Sequence, residues 1–261
     1  NILNQDYQLI DNKEKRADLI QFLITSEILS IDTETTSTEA MEAELVGISF
    51  SSKENQGYYV PIPQEREEAL KIVNEFRVLY ENEKSIKIGQ NIKYDIIVLQ
   101  NYGIEVKGKL FDTMIAHYLL QPELRHNMDY LAEIYLNYKT IHIDELIGAK
   151  GKNQKSMRDL PPEDVYQYAC EDSDITLKLK NIFEKELKEQ DIEKLFYEVE
   201  MPLVKVLAYM ECNGVRIDTE ALKQSSADFT ARLQEIEKDI YGLANETFNI
   251  SSPKQVGEIL F

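Results

Sequence analysis

The chain has 261 residues, of which 43% are hydrophobic and 29% charged, and its formal net charge is −18. No apolar run reaches the length of a bilayer span, and the first residues carry neither a basic n-region nor an apolar h-region, so no membrane segment and no secretory signal is expected. The acidity argues against broad electrostatic adhesion to nucleic acid, so any such partner needs a local basic patch or bound cations.

In chain order, Tyr7–Ile10 reads as a short strand and Lys13–Ser26 as an amphipathic helix with Ala17, Ile20, Leu23 and Ile24 on one face. Ile28–Thr33 is a strand ending in acids. Leu45–Phe50 and Tyr58–Ile62 read as a hairpin across the polar stretch 51–57. A helix follows Pro63, from about Glu65 to Tyr80, and Ser85–Gly89 is the next strand. Asn91 is placed to cap a helix that Gly103 ends, and Asp112 to cap another running to Leu120. The rest is helical: Asp129–Asn137, Pro162–Gln190 and Glu193–Cys212 all carry apolar stripes. Thr219 then caps a long helix to about Ala244, and Ser251-Ser252-Pro253 opens a helix still running at Phe261. The lack of an initiator Met and the stop in mid-helix read as a piece of a longer protein. The strands cluster before residue 90, which predicts an α/β core. Cys170 and Cys212 make no disulfide framework and fit a reducing, cytoplasmic setting. His117, His126 and His142 have no zinc-site spacing.

Three acidic motifs punctuate these elements. In Asp32-Thr33-Glu34, residues i and i+2 share one face of a strand and can point at one cation. In Asn91-Ile92-Lys93-Tyr94-Asp95, residues i and i+4 neighbour each other on a helix start. In Tyr168-Ala169-Cys170-Glu171-Asp172, Tyr168 and Asp172 have the same relation, while Glu171 and Asp174 read as water-facing acids of an amphipathic helix. Taken singly, each motif is an ordinary polar strand end or helix turn. Together, clustered carboxylates repel one another unless cations neutralise them, and hard divalent ions prefer oxygen ligands.

The order Asp-x-Glu, Asn-x₃-Asp, Tyr-x₃-Asp resembles the DEDDy branch of the DnaQ-like exonucleases. It is most similar to the 3′→5′ proofreading domain of the bacterial DNA polymerase I family, the family A polymerases. Phe111-Asp112-Thr113-Met114, Arg125-His126-Asn127-Met128-Asp129 and Gly151-Lys152-Asn153-Gln154 resemble the same domain. Glu200-Met201-Pro202-Leu203-Val204, Asn213–Asp218 and Phe248–Gln255 look like the opening of its polymerase part. The resemblance implies a ribonuclease H-like mixed sheet with flanking helices over residues 1–192, followed by a truncated helical polymerase segment over 193–261. Palm and fingers are absent from this sequence.

It further implies hydrolysis of a DNA 3′ end, single-stranded or frayed, to 5′-monophosphates with two Mg²⁺ or Mn²⁺ ions, Zn²⁺ being acceptable at one site. Asp32, Glu34 and Asp172 would hold the ion serving the nucleophile, with Asp32 shared, and Asp95 would serve the second. Tyr168 would orient the attacking water, since an unperturbed tyrosine, with a pKa of about 10, is a poor base. Thr33, Thr35, Gln90, Asn91, Tyr94 and Arg125 would bind substrate. Lys150, Lys152, Lys155 and Arg158 form the densest basic run and are candidates to guide a strand. Members of the family wedge the last bases with bulky apolar residues where this chain has Thr38 and Ile143, so a weaker wedge is expected. The expected partners are DNA and the remainder of a polymerase chain, with the protein a monomer. An RNA exonuclease of ribonuclease D type and a silent scaffold domain are the alternatives.

Overall fold

The computed structural model describes residues 5–149, 151 and 154–261. Six strands form one mixed sheet: β1 (Asp6–Leu9), β2 (Ile28–Thr35), β3 (Leu45–Ser51), β4 (Gln56–Pro61), β5 (Ile86–Gly89) and β6 (Leu110–Asp112), in spatial order β1-β4-β3-β2-β5-β6. The β2–β3 and β3–β4 pairs are antiparallel, and β1–β4, β2–β5 and β5–β6 are parallel, so β3 alone runs against the others. This is the mixed α/β sheet the sequence resemblance implies.

The helices of this part are α1 (Lys13–Leu23), α2 (Arg66–Glu75), α3 (Arg77–Tyr80), α4 (Ile92–Gln100), α5 (Thr113–Leu120), α6 (Met128–Leu136), α7 (Ile143–Ile147), α8 (Pro162–Glu189), α9 (Glu193–Leu195) and α10 (Met201–Asn213). A 3₁₀ turn spans Met157–Asp159, and a π-turn spans Phe196–Glu200. The long α8 packs across β1 to β5. Every residue of β3 is buried, as expected of a strand covered on both faces. The core includes Phe50 stacked on Phe76 at 5.4 Å between ring centroids.

Several details differ from the sequence reading. Strand β6 was not expected and lies beyond residue 90; three residues give too little alternation to read as a strand. The single helix expected to Tyr80 divides at Phe76 into α2 and α3. Asn91 does not cap α4 with its side chain: it adopts a left-handed conformation, φ 60°. The cap is Asp112, whose carboxylate accepts the backbone N–H groups of Asn91 and Ile92 at 3.3 and 2.8 Å and of Met114 and Ile115 at 2.9 and 3.2 Å. One buried acid thus caps both α4 and α5.

The chain divides into two compact units, the first ending at Asn213 and the second covering Gly214–Phe261. The compaction boundary lies past the expected 192/193 junction because Phe196, Met201, Val204 and Ala208 are buried in the first unit's core. In the second unit, α11 (Thr219–Ala244) is capped by Asp218 rather than Thr219, the Asp218 carboxylate accepting the Ala221 N–H at 3.0 Å. There α12 (Pro253–Leu260) is capped by Ser252. Among the described residues no helix is long and apolar enough to cross a membrane. Cys170 and Cys212 are free thiols.

Candidate active site

The parallel strands β2, β5 and β6 present their carboxyl ends together, where open α/β sheets place ligands. β5 stops at Gly89 while β2 continues to Thr35, so residues 32–35 outrun their parallel neighbour and α4 begins beside them. A register shift between Glu34 and Thr35 re-aims the end of β2. Asp32, Thr33 and Glu34 alternate along the pleat, so the two acids share a face and the threonine takes the other.

On the first face, α8 delivers Asp172. Carboxylate oxygens of Asp32, Glu34 and Asp172 all lie within 4.8 Å of one another. Burial pushes Asp32 up to about 6. Burial, followed by the charges of Asp32 and of its other neighbours, holds Glu34 and Asp172 well above the usual carboxylate range. Among the described residues, Glu34 Oε1 is buried with no hydrogen-bond partner. An orphaned carboxylate oxygen beside two further acids is costly unless a cation completes it, so the donor set, all oxygen and all anionic, fits a hard divalent metal.

Asp95 lies outside that triad. Thr33 Oγ1 donates to Asp95 Oδ1 at 2.6 Å, and burial, followed by the Asp32 charge, raises the Asp95 pKa. The four expected carboxylates thus assort as three converging oxygens and one neighbour reached past the strand. Tyr168, one helical turn before Asp172, has its hydroxyl proton held on by burial and by the charges of Asp172, Glu34 and Asp32.

Glu171 and Asp174 correct the sequence reading. Both are buried, at 1% and 0% exposure, rather than facing water. Glu171 accepts the Tyr138 hydroxyl and the Ile141 N–H, each at 2.6 Å. Asp174 accepts the Tyr7 hydroxyl at 2.8 Å, the Asn55 N–H at 2.7 Å and Lys178 Nζ at 2.8 Å. These bonds fasten α8 to β1, to the β3–β4 turn and to the segment after α6, and so set the helix rotation that aims Asp172. Opposite Glu34 stands Gly47, where a Cβ would fall 2.1 Å from the Tyr59 ring. Only glycine lets that ring lie beneath the acid.

Beside the carboxylates opens a cleft of about 660 Å³, lined in part by Thr33, Glu34, Thr35, Asn91 and Tyr94. Thr38 and Ile143, the two wedge positions, line it as well. Thr36, Ser37 and Ser156 also line it; no motif marked them. The hydroxyls of Thr35 and Tyr94 cluster with the Ser37 carbonyl, one donating to that carbonyl and the other free to donate within the cluster, which folds the wall after β2. Gln90 has both ends of its amide engaged: Oε1 accepts Thr113 Oγ1 and Nε2 donates to the His126 carbonyl at 2.6 Å. It braces the loop that carries the exposed Arg125.

Of the basic run, Lys155 lines the cleft. Arg158 turns inward and donates to the carbonyls of Ile62 and Leu45, pinning the cleft wall to the sheet end. That use of its guanidinium removes it as a strand guide. Lys150 and Lys152 lie outside the described residues.

A family model described as 3′-5′ exonuclease matches residues 7–188. The chain is 40% identical to DNA polymerase I of Borreliella burgdorferi over 99% of its own length and 28% of that protein's. It is 35% identical to DNA polymerase I of Pseudomonas aeruginosa over 98% of its length and 29% of that protein's. The chain therefore spans less than a third of these relatives. Among solved structures it is similar to the POL domain of Pol1 from M. smegmatis, in complex with DNA primer-template and dNTP. The TM-score is 0.76 at 19% identity, covering 97% of this chain and 40% of that one. It is also similar to Brucella melitensis NrnC bound to pGG, with TM-score 0.62 at 16% identity, covering 80% of this chain and 93% of that one.

Proposed function

Because the chain belongs to the 3′-5′ exonuclease family carried by DNA polymerase I, we propose that it shortens DNA strands from the 3′ end, releasing 5′-monophosphates. The observation that carries the reading is the carboxylate triad of Asp32, Glu34 and Asp172, whose Glu34 oxygen has no partner among the described residues. When bound there, two divalent cations, Mg²⁺ or Mn²⁺ with Zn²⁺ acceptable at one site, would supply Lewis-acid stabilisation of the attacking and departing oxygens. Asp32, Glu34 and Asp172 would hold the first cation, and Asp95, with Asp32, would serve the second.

The chain's own groups do the rest. Tyr168 keeps its proton across the working pH range, so it acts as a hydrogen-bond donor that orients the incoming water and not as the base. The cleft takes the terminal nucleotide against Thr33, Thr35, Asn91 and Tyr94, and its volume is that of an ordinary ligand pocket, roughly 300–1,000 Å³. Arg125 supplies a positive contact for a strand phosphate. With Thr38 and Ile143 at the wedge positions, frayed or single-stranded ends are the preferred substrates. The partners are DNA and the remainder of a polymerase chain, and the protein works as a monomer in the cytoplasm.

The acid motifs by themselves keep one second reading, an RNA exonuclease with the same acids. Matched single-stranded DNA and RNA, each labelled at the 5′ end, test both. The proposal expects a Mn²⁺-dependent ladder shortening from the 3′ end on DNA. Preferential shortening of RNA would support the second reading, and no shortening of either strand would refute both.

A further inference from the structure

We infer that His126, gripped by the buried His117, is a positioning residue that holds Arg125 for a strand phosphate, an inference that rests on the nucleolytic reading above. The loop between α5 and α6, residues 121–127, is exposed at every position except His126. That one residue is tied down twice. Its carbonyl accepts Gln90 Nε2 at 2.6 Å, and Gln90 is the residue before Asn91, which lines the cleft. Its ring nitrogen Nδ1 lies 2.6 Å from Nδ1 of His117, which is fully buried.

Both ties return to one face of α5. Thr113, which donates to Gln90 Oε1 and to the Gly89 carbonyl at 3.1 Å, stands four residues before His117. The ring-to-ring bond requires one bare and one protonated nitrogen. Among the described residues His117 Nε2 is buried without a partner, with the Tyr135 and Phe183 rings centred 5.4 and 5.5 Å away. A proton there would be an unsatisfied buried donor, so the His117 proton belongs on Nδ1, pointing at a bare His126 Nδ1. Burial and the His126 ring push His117 down to about 4, which keeps it neutral and able to make this bond. Arg125 therefore emerges one residue from a point fixed to the cleft's own strand end. Among the described residues it forms no ion pair, although the chain carries net charge −18. A free guanidinium so placed suits a phosphodiester.

The test is steady-state digestion of single-stranded DNA by the full chain. His126→Ala is expected to raise KM about 5-fold with kcat within about 2-fold, the size of one lost hydrogen bond in ground-state binding. His126→Asn, whose amide oxygen stands near the place of Nδ1, should restore most of that loss. In an Arg125→Ala background His126→Ala should add nothing, since the two act as one unit. Independent, multiplying effects, or a fall in kcat with KM unchanged, would overturn the role. Nitrogen-15 spectra of the histidine rings test the tie without any substrate: a His117 proton on Nε2 overturns it, while a Nδ1 proton together with inert DNA would sink the nucleolytic reading and this role with it.

Discussion

Glu34 carries one buried carboxylate oxygen that no group among the described residues satisfies, and its carboxylate lies within 4.8 Å of two more acids. Such a side chain costs stability to keep, and two outcomes follow. Because the Asp32 carboxyl is raised to about 6 in the folded protein from about 4 in an unfolded chain, the folded state binds the proton more tightly. That contribution is present below about pH 4 and is lost as pH rises through about 6. In EDTA, melting temperature should therefore fall across that window, and Asp32→Asn should flatten the fall while abolishing turnover. A wild-type profile identical to that of Asp32→Asn would contradict the burial of these charges. Tyr168→Phe removes only a hydroxyl that stays protonated beside the acids. It should lower kcat at least about 10-fold, the scale of one lost transition-state hydrogen bond, and leave Mn²⁺ affinity within about 2-fold. Full-rate cleavage by that variant would show that the hydroxyl orients nothing.

At the scale of elements, the site depends on how two helices are seated. Asp112 caps α4 and α5 together, so Asp112→Ala strips acceptors from both starts and should cost about 2–4 kcal/mol in urea unfolding, more than one ordinary cap. A loss under about 1 kcal/mol would mean water replaces the carboxylate at both ends. Asp112→Asn, retaining one acceptor oxygen, should fall between. The same scale shows what was legible in the sequence. Periodicity put Asp32 and Glu34 on one strand face and Tyr168 and Asp172 on one helix face, because pleat and helical turn are local properties; that the two faces meet was implied only by the family resemblance. Glu171 and Asp174 were misread as solvated because their partners Tyr7, Asn55, Tyr138 and Ile141 lie between 30 and 167 residues away along the chain. Asn91 looked like a cap because its residue type favours that place, whereas the capping acid comes from the next strand. Gln90 and Arg158 carry the right polarity for DNA contacts, but their hydrogen-bonding groups are spent on the protein's own carbonyls and hydroxyls, which composition does not reveal.

Across the whole molecule, the first compact unit ends at Asn213 and draws α10 into the core, with Phe196 against Phe111 at 4.8 Å between centroids. A chain ending at Asn213 should unfold cooperatively. One ending at Ile192 should lose several kcal/mol, at about 1.5–3 kcal/mol for each large apolar side chain no longer covered. Equal stability of the two would place the boundary back at 192. The net charge of −18 leaves DNA binding to a few local cations and to bound metal, so activity should fall steeply with added salt only if those few contacts dominate. The triad itself is tested most directly by titrating Mn²⁺ into the protein under electron paramagnetic resonance while following mononucleotide release from single-stranded DNA. Bound Mn²⁺ and release should rise together in the wild type, and both should be lost in Asp172→Ala. Release that continues in Asp172→Ala, or Mn²⁺ bound there as tightly as in the wild type, would contradict the assignment of Asp32, Glu34 and Asp172 as the metal site.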